Sequence, residues 1–163
     1  MSAAKRGFAI WKTAKLGTCK TADDYRKALK KARYGINIWA NEILNKAAFT
    51  FTQQETEVDL VVLSVGELGF KDGAHYNDIC ARAVEMGLEL CPAEVGPTLR
   101  LAYADQPKNE CLRIATEAII DSDGYLFIFA VEHVDGELWL RGYFGHPASF
   151  WYAVHRFVFV RRK

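Results

Sequence analysis

The sequence predicts an α+β fold in which N-terminal helices pack on a mainly antiparallel β-sheet. Residues 21–46 contain two short helical patterns with caps, whereas strand-forming runs dominate the region from Thr98 onward. Asp-Gly turn signals at residues 122–124 and 134–136 separate consecutive runs, as in antiparallel hairpins. The 163 residues contain no repeat or low-complexity tract, so we expect one globular domain over residues 1–163.

The first part of the chain is expected to contain one strand and two capped helices. Residues 8–16 alternate in polarity and predict the first strand. Thr21 begins a segment like a capping box, so it starts a helix that we expect to end at Gly35. Asn37 suits the cap of a second helix. The apolar face of that helix is expected to contain Ile38, Trp39, Ile43 and Leu44.

We expect mostly strands in the rest of the chain. Residues 58–65 are rich in β-branched side chains and predict a buried strand. Residues 75–86 predict a helix that ends at Gly87. Five further strands are expected at residues 98–104, 110–119, 125–133, 137–143 and 155–161.

Residues 90–107 combine a cysteine, prolines, carboxylates and an arginine. Residues 91–94 are typical of a helix start, and Gly96 and Pro97 are expected to close that helix within about one turn. A thiol at a helix N-terminus has a lowered pKa, so Cys91 is a candidate nucleophile if a histidine lies beside it. The alternative is that Cys91 is a small buried residue at a cap.

A polar site is a further interpretation of this region. Arg100 lies between two leucines, so a half-buried strand would turn its side chain outward, and an ion pair with Glu94 is the leading expectation. Asp105 and Gln106 are expected in a turn close by. Asp121 lies in a hairpin-turn sequence that only superficially resembles a calcium loop. Each of these residues is a candidate binding residue.

The C-terminal part is rich in aromatic residues around the loop at residues 145–149. We expect Trp151, Tyr152 and Arg156 to share an exposed face, where rings stack on a base or a sugar and the arginine contacts an anion. The alternative is a loop tucked over one end of the sheet.

No pattern in the sequence predicts a metal or a cofactor. The four cysteines form no C-x-x-C pair and the four histidines form no H-x-x-x-H pair, so we expect no metal site. Four cysteines could form two disulfides, but a reducing compartment favours free thiols. The sequence has neither a signal-peptide pattern nor an apolar run of membrane-spanning length, so a cytoplasmic protein without membrane contact is expected.

The net charge of +1 conceals an uneven distribution. Residues 1–46 and 141–163 are basic, whereas residues 47–140 are acidic. Either the basic ends fold back over the acidic body, or they form a face for an anionic partner.

Several phrases of the sequence resemble a group of small uncharacterised bacterial proteins with no established activity. They are residues 58–65, 67–70, 72–74, 90–97, 99–101 and 105–107, and the likeness runs from Lys12 to the C-terminus. The resemblance implies no activity. It implies that Cys111, where the group has tryptophan, is a packing residue and not a nucleophile. It also groups five polar residues for joint testing: Glu94, Arg100, Asp105, Gln106 and Asp121.

The sequence leaves two functions open. The first is a non-catalytic binding or accessory module that uses the aromatic and basic C-terminal surface to hold a protein, a glycan or single-stranded nucleic acid. The alternative is a small enzyme that uses Cys91, or the carboxylates of Glu94, Asp105 and Asp121 with Arg100 as an anion clamp. Whether the protein is an enzyme is left undecided at this point.

Overall fold

The computed structural model describes residues 7–163, and its main feature is a nine-stranded mixed sheet that curls into a half-barrel. Residues 1–6, on which the expectation of no signal peptide depends, lie outside the described residues. In chain order the elements are β1 (Lys12–Leu16), α1 (Ala22–Lys31), β2 (Gly35–Ile36), α2 (Ile38–Ile43), β3 (Thr56–Ser64), β4 (Ala74–His75), α3 (Tyr76–Glu85), β5 (Leu88–Glu89), α4 (Val95–Ala102), β6 (Cys111–Ile114), β7 (Ile119–Ile120), β8 (Leu126–Val134), β9 (Glu137–Phe144), β10 (Phe150–Trp151) and β11 (Arg156–Arg161).

The strand order of the main sheet is β1-β3-β11-β6-β8-β9-β2. Short β5 pairs with the end of β11, and short β7 pairs with the start of β8. Two of the pairings, β11 with β6 and β2 with β9, are parallel, and the others in this sheet are antiparallel. Strands β10 and β4 form a separate two-stranded sheet.

The predicted fold class is wrong, because the protein is mostly sheet and that sheet is mixed. In the described part of the chain, the helices are four short segments, and none exceeds ten residues. The N-terminal helices do not form a layer on an antiparallel sheet: α1 contacts α4 and β2, and α2 contacts β8 and β9 of the mixed sheet. Helix α4, from the middle of the chain, lies against β1, β8 and β9. Within residues 7–163, no helix is both long and apolar enough to span a bilayer.

Helix α4 replaces the strand that was predicted at residues 98–104. Its residues from Val95 to Arg100 are all buried, so the sequence shows no polar face from which a helical period could be read. Pro97 does not end the helix, because it lies in the first turn, where a backbone N–H has no intrahelical acceptor. Gly96 brings α4 close to the sheet: a Cβ there would lie 2.7 Å from Phe129 Cβ and Cγ.

The local signals for the first two helices are confirmed. Thr21 Oγ1 accepts a hydrogen bond from the Asp24 N–H, and Asn37 Oδ1 accepts one from the Ala40 N–H. Gly35 does not end α1, because it lies in β2, where a Cβ would overlap the ring of Trp139.

The apolar face predicted for α2 is only partly buried. Ile43 and Leu44 are in the core, whereas Ile38 and Trp39 are exposed. The hairpin turn between β8 and β9 has the expected Asp-Gly sequence, and Asp135 and Gly136 both have positive φ.

The hydrophobic core consists of two clusters, one on each face of the sheet. Along β11, Val158 and Val160 belong to the cluster with α1, α2 and α4, whereas Phe157 and Phe159 belong to the cluster with α3. Because the central strands are covered on both faces, their sequences are continuous apolar runs without polar alternation. The polar residues that could form a site therefore lie at the ends of these strands.

Candidate functional site

Arg100 is enclosed in the protein and does not face solvent. Its exposed fraction is 0%, because α4 turns it toward β9. Nη1 donates to Gln106 Oε1 at 2.6 Å and to the Trp139 carbonyl at 3.3 Å, while Nη2 donates to the Tyr103 carbonyl. Burial lowers the pKa of Arg100 to about 10, so the side chain remains a cation at neutral pH. Arg100 ties α4 to the following turn and to β9.

Glu94 is also buried, but it does not pair with Arg100. Its Oε2 accepts hydrogen bonds from the Gly17 N–H and the Tyr25 hydroxyl, both at 2.8 Å. Its Oε1 accepts one from the Thr52 N–H at 2.7 Å. The predicted Glu94–Arg100 ion pair is therefore wrong. The carboxylate instead joins the loop after β1, helix α1 and the segment before β3.

The other members of the predicted polar set are not gathered at one site. Gln106 is buried, accepts from Arg100, and donates to the Val131 carbonyl at 3.1 Å. Asp105 is exposed, and Asp121 Oδ1 accepts from the Asp123 and Tyr125 N–H groups of its own turn. Only Arg100 and Gln106 of the five are in contact, and both are inside the protein.

Cys91 has the properties of a buried core residue. Its Sγ donates to the Val158 carbonyl at 3.3 Å, and burial raises the pKa of the thiol. The expected lowering at a helix N-terminus is absent, because α4 begins only at Val95. A histidine is also missing from the described residues that line the adjacent depression.

The predicted aromatic face is only partly present. Trp151 is 9% exposed and packs edge-on against Phe157, so the expectation of an exposed Trp151 is wrong. Tyr152 is 63% exposed, as expected. Arg156 is also exposed, and its Nη1 lies 3.2 Å from Glu110 Oε2. Trp151 points inward between two outward neighbours because successive side chains of a strand alternate.

A basic depression lies where the parallel strands β6 and β11 begin. Because these strands run in the same direction, the segment before β6 and the segment before β11 meet at one edge of the sheet. The resulting space of about 420 Å³, the β6–β11 depression, is open to solvent. Residues around it include Lys108, Glu110, Cys111, Arg113, His155 and Arg156.

The charges of the β6–β11 depression are unequal. Glu110 is its acidic residue, and both carboxylate oxygens are engaged, Oε1 by the Tyr103 hydroxyl at 2.8 Å and Oε2 by Arg156. Within residues 7–163, neither Lys108 nor Arg113 has an ion-pair partner. The depression therefore has two cationic side chains that no carboxylate neutralises.

Arg113 is held in place by two aromatic rings. Its guanidinium carbon lies 4.9 Å from the ring centroid of Trp151 and 5.4 Å from that of Tyr143. Nη1 donates a long hydrogen bond of 3.4 Å to the Cys111 carbonyl, and the buried Nε has no hydrogen-bond partner among residues 7–163. Cation–π contacts orient the guanidinium without neutralising it, so its hydrogen-bonding capacity is only partly used.

The neighbouring carboxylate of Glu132 does not pair with Arg113, because other groups bind both of its oxygens. Arg141 Nε lies 3.0 Å from Glu132 Oε1, and the Tyr143 hydroxyl donates to Glu132 Oε2 at 3.0 Å. Burial raises the pKa of the nearby Cys111 to about 11, so that thiol is protonated at neutral pH. The chemistry available at this site is binding of an anion by cations and N–H donors.

His155 forms one wall of the β6–β11 depression in its neutral form. Its Nδ1 accepts a hydrogen bond of 3.0 Å from the Tyr152 N–H, which requires an unprotonated nitrogen. Burial, together with the charge of Arg113, lowers the pKa of His155. The imidazole thus fixes the backbone of the loop before β11 at neutral pH.

This arrangement predicts a pH-dependent contribution of His155 to stability. Since its pKa is lower in the folded protein than in the unfolded chain, the unfolded chain binds the proton first as the pH falls. The contribution should be complete above about pH 6.5 and decrease as the pH drops below that value. Urea denaturation of wild-type protein and His155→Gln at several pH values measures it. A difference in free energy of unfolding that does not change with pH would contradict the prediction.

Of the residues around the β6–β11 depression, sequence reasoning named Arg156 as a candidate but neither Lys108 nor Arg113. A signal for Arg113 was present, because the four residues of β6 alternate and place Cys111 and Arg113 on the same face. The parallel pairing of β6 with β11 gives no comparable signal, since the two strands are far apart in the chain.

Comparison of the chain with protein-family models, with curated proteins and with solved structures finds no match. The functional inference therefore depends on the geometry of the site.

Proposed function

We propose that the protein is a non-catalytic binding module that holds an anionic group in the β6–β11 depression. The observation that carries this proposal is Arg113, a cation that packs against the rings of Trp151 and Tyr143 at the wall of an open depression. It has no carboxylate partner among the residues that the structure describes. Lys108 adds a second cation, and it has no ion-pair partner within residues 7–163. Phosphate and carboxylate groups suit such a site, because the planar guanidinium offers them parallel N–H donors.

The alternative of a small enzyme has less support. The thiols of Cys91 and Cys111 have raised pKa values because they are buried, so both are poor nucleophiles at neutral pH. The carboxylates of Glu94 and Asp121 accept hydrogen bonds at separate places in the fold. We place this binding module in a reducing cytoplasm, a proposal with which four free cysteines agree. The resemblance to small bacterial proteins forms part of the same proposal.

Replacing Arg113 tests the proposed function. We expect inorganic pyrophosphate to bind wild-type protein, and Arg113→Gln to bind it about tenfold more weakly, because a charge-assisted contact is lost. Isothermal titration calorimetry at low salt measures both affinities. Arg113→Lys keeps the charge but loses the planar donor pair, so an intermediate affinity is expected.

The matched control is Arg162→Gln, which removes an exposed arginine paired with Glu89 at the other end of β11. It should leave pyrophosphate binding unchanged. Circular dichroism establishes that each variant is folded before titration. Equal losses in the Arg113 and Arg162 variants, or no binding to wild-type protein, would overturn the proposal.

A further inference from the structure

We propose that the anionic ligand is single-stranded nucleic acid, with a backbone phosphate in the β6–β11 depression and its bases stacked on neighbouring exposed rings. The inference rests on the proposed function above and adds the class of ligand. Exposed aromatic rings lie beside the depression, and a site that binds only an anion would not need them.

A series of rings leads away from the depression. The ring of His155, which lines the depression, lies 5.7 Å from that of Tyr152. Tyr152 lies 5.5 Å from Phe150, and Phe150 lies 5.5 Å from His75. Tyr152 is 63% exposed and Phe150 is 46% exposed, so both offer ring surface to a ligand. We call these four residues the ring series.

The ring series is held by backbone pairing. Strand β10 pairs with β4, which sets Phe150 opposite His75. Beyond this pairing, the Tyr76 N–H donates to the Ser149 carbonyl at 2.7 Å, and the Tyr152 N–H donates to His155 Nδ1. Rings fixed in this way lose little conformational freedom when a base stacks on them.

Trp151 connects the cation of the β6–β11 depression, Arg113, to the ring series. It lies between Phe150 and Tyr152 in the chain but points inward, where its ring is in contact with the Arg113 guanidinium. The alternation of residues 150–152 therefore places two rings outward for stacking and one inward for holding the cation. The cation and the exposed rings are in this way fixed relative to one another.

The shape of the site favours a polymer over a small molecule. Pockets for small ligands enclose roughly 70–90% of the ligand surface, whereas the β6–β11 depression is open and the ring series lies outside it. A single nucleic-acid strand provides a phosphate and an unpaired base side by side in each unit. Proteins that bind such strands combine a positively charged groove with aromatic rings on which successive bases stack.

The test is fluorescence anisotropy with a labelled oligothymidylate of about ten nucleotides. An abasic oligomer of equal length has the same phosphates without bases, a duplex hides its base faces, and a sulfated glycan supplies charge on a different polymer. We expect wild-type protein to bind the oligothymidylate at least about tenfold more tightly than each of these three, because only the single strand offers free bases to the rings.

Variants of the ring series separate stacking from charge. Tyr152→Ala is expected to weaken oligothymidylate binding about tenfold, the scale measured for loss of one stacking ring, and to leave pyrophosphate binding unchanged. Tyr152→Phe keeps the ring and should keep the affinity. Tyr125→Ala removes a similarly exposed tyrosine just before β8, at the end of that strand opposite its pairing with Cys111, and serves as the matched control.

The outcomes distinguish this inference from the proposed function. If the abasic oligomer or the glycan binds as tightly as the oligothymidylate, or Tyr152→Ala binds like wild-type protein, the inference is overturned. The proposed function survives that result as long as pyrophosphate binds and depends on Arg113. Absence of binding to pyrophosphate and to every oligomer overturns both.

Discussion

Replacing Glu94 with alanine is expected to lower the free energy of unfolding by about 3–5 kcal/mol, because three buried donors lose their acceptor. Those donors are the N–H groups of Gly17 and Thr52 and the hydroxyl of Tyr25. They belong to three separate segments, and the carboxylate accepts a hydrogen bond from each of them. Each donor left unpaired in the interior costs about 1–3 kcal/mol, and part of this is recovered where water enters.

Urea denaturation at neutral pH measures this loss, and two variants make it specific. Glu94→Gln keeps the volume and one acceptor oxygen, so we expect a smaller loss than for alanine. Asp105→Ala removes an exposed carboxylate from the turn after α4 and should change the stability by less than about 0.5 kcal/mol. If the free energy of unfolding of Glu94→Ala stays within about 1 kcal/mol of the wild-type value, the carboxylate does not hold these segments together.

Replacing Gly96 with alanine is the second substitution with a large expected effect. In an ordinary helix the change would be favourable, since alanine has the higher helix propensity by about 1 kcal/mol. Here the new Cβ would lie 2.7 Å from Phe129 Cβ and Cγ, so α4 would have to move away from β8. We expect a net loss of about 2–3 kcal/mol in the free energy of unfolding.

Gly7→Ala is the control for this substitution, because a Cβ at Gly7 would meet nothing within 4 Å. Its free energy of unfolding should match that of wild-type protein. Thermal and urea denaturation of both variants measure the effect. A Gly96→Ala protein that is more stable than wild type would mean that helix propensity outweighs the contact and that α4 tolerates a small displacement.

The helix caps could be predicted because their signals are local. Thr21 and Asn37 each satisfy a backbone N–H three residues ahead, so a few consecutive residues contain the whole signal. Helix α4 could not be predicted in the same way. Its burial on every side removes the polar face, and its alternation of leucine with Arg100 imitates a half-buried strand.

The candidate site could be predicted only where it depends on neighbouring residues. Tyr152 and Arg156 belong to one aromatic and basic stretch, and the composition of that stretch indicates binding. Lys108 and Arg113 join them through the parallel pairing of β6 with β11, which neither strand encodes alone. Arg100 was expected at the surface because its predicted element was wrong, and its burial follows from the helix that replaced the strand.

The position of β11 between β3 and β6 has a consequence for how the chain folds. Strand β11 is the sole link in the strand order between the β1-β3 pair and the strands from β6 to β2. During synthesis the strands of both groups are made before β11, so β3 and β6 each have an unpaired edge until β11 is added. Pairings between distant segments form slowly, and unpaired edges favour association between chains. Changes in the apolar centre of β11 should therefore reduce the yield of folded protein through aggregation of nascent chains, beyond their effect on equilibrium stability.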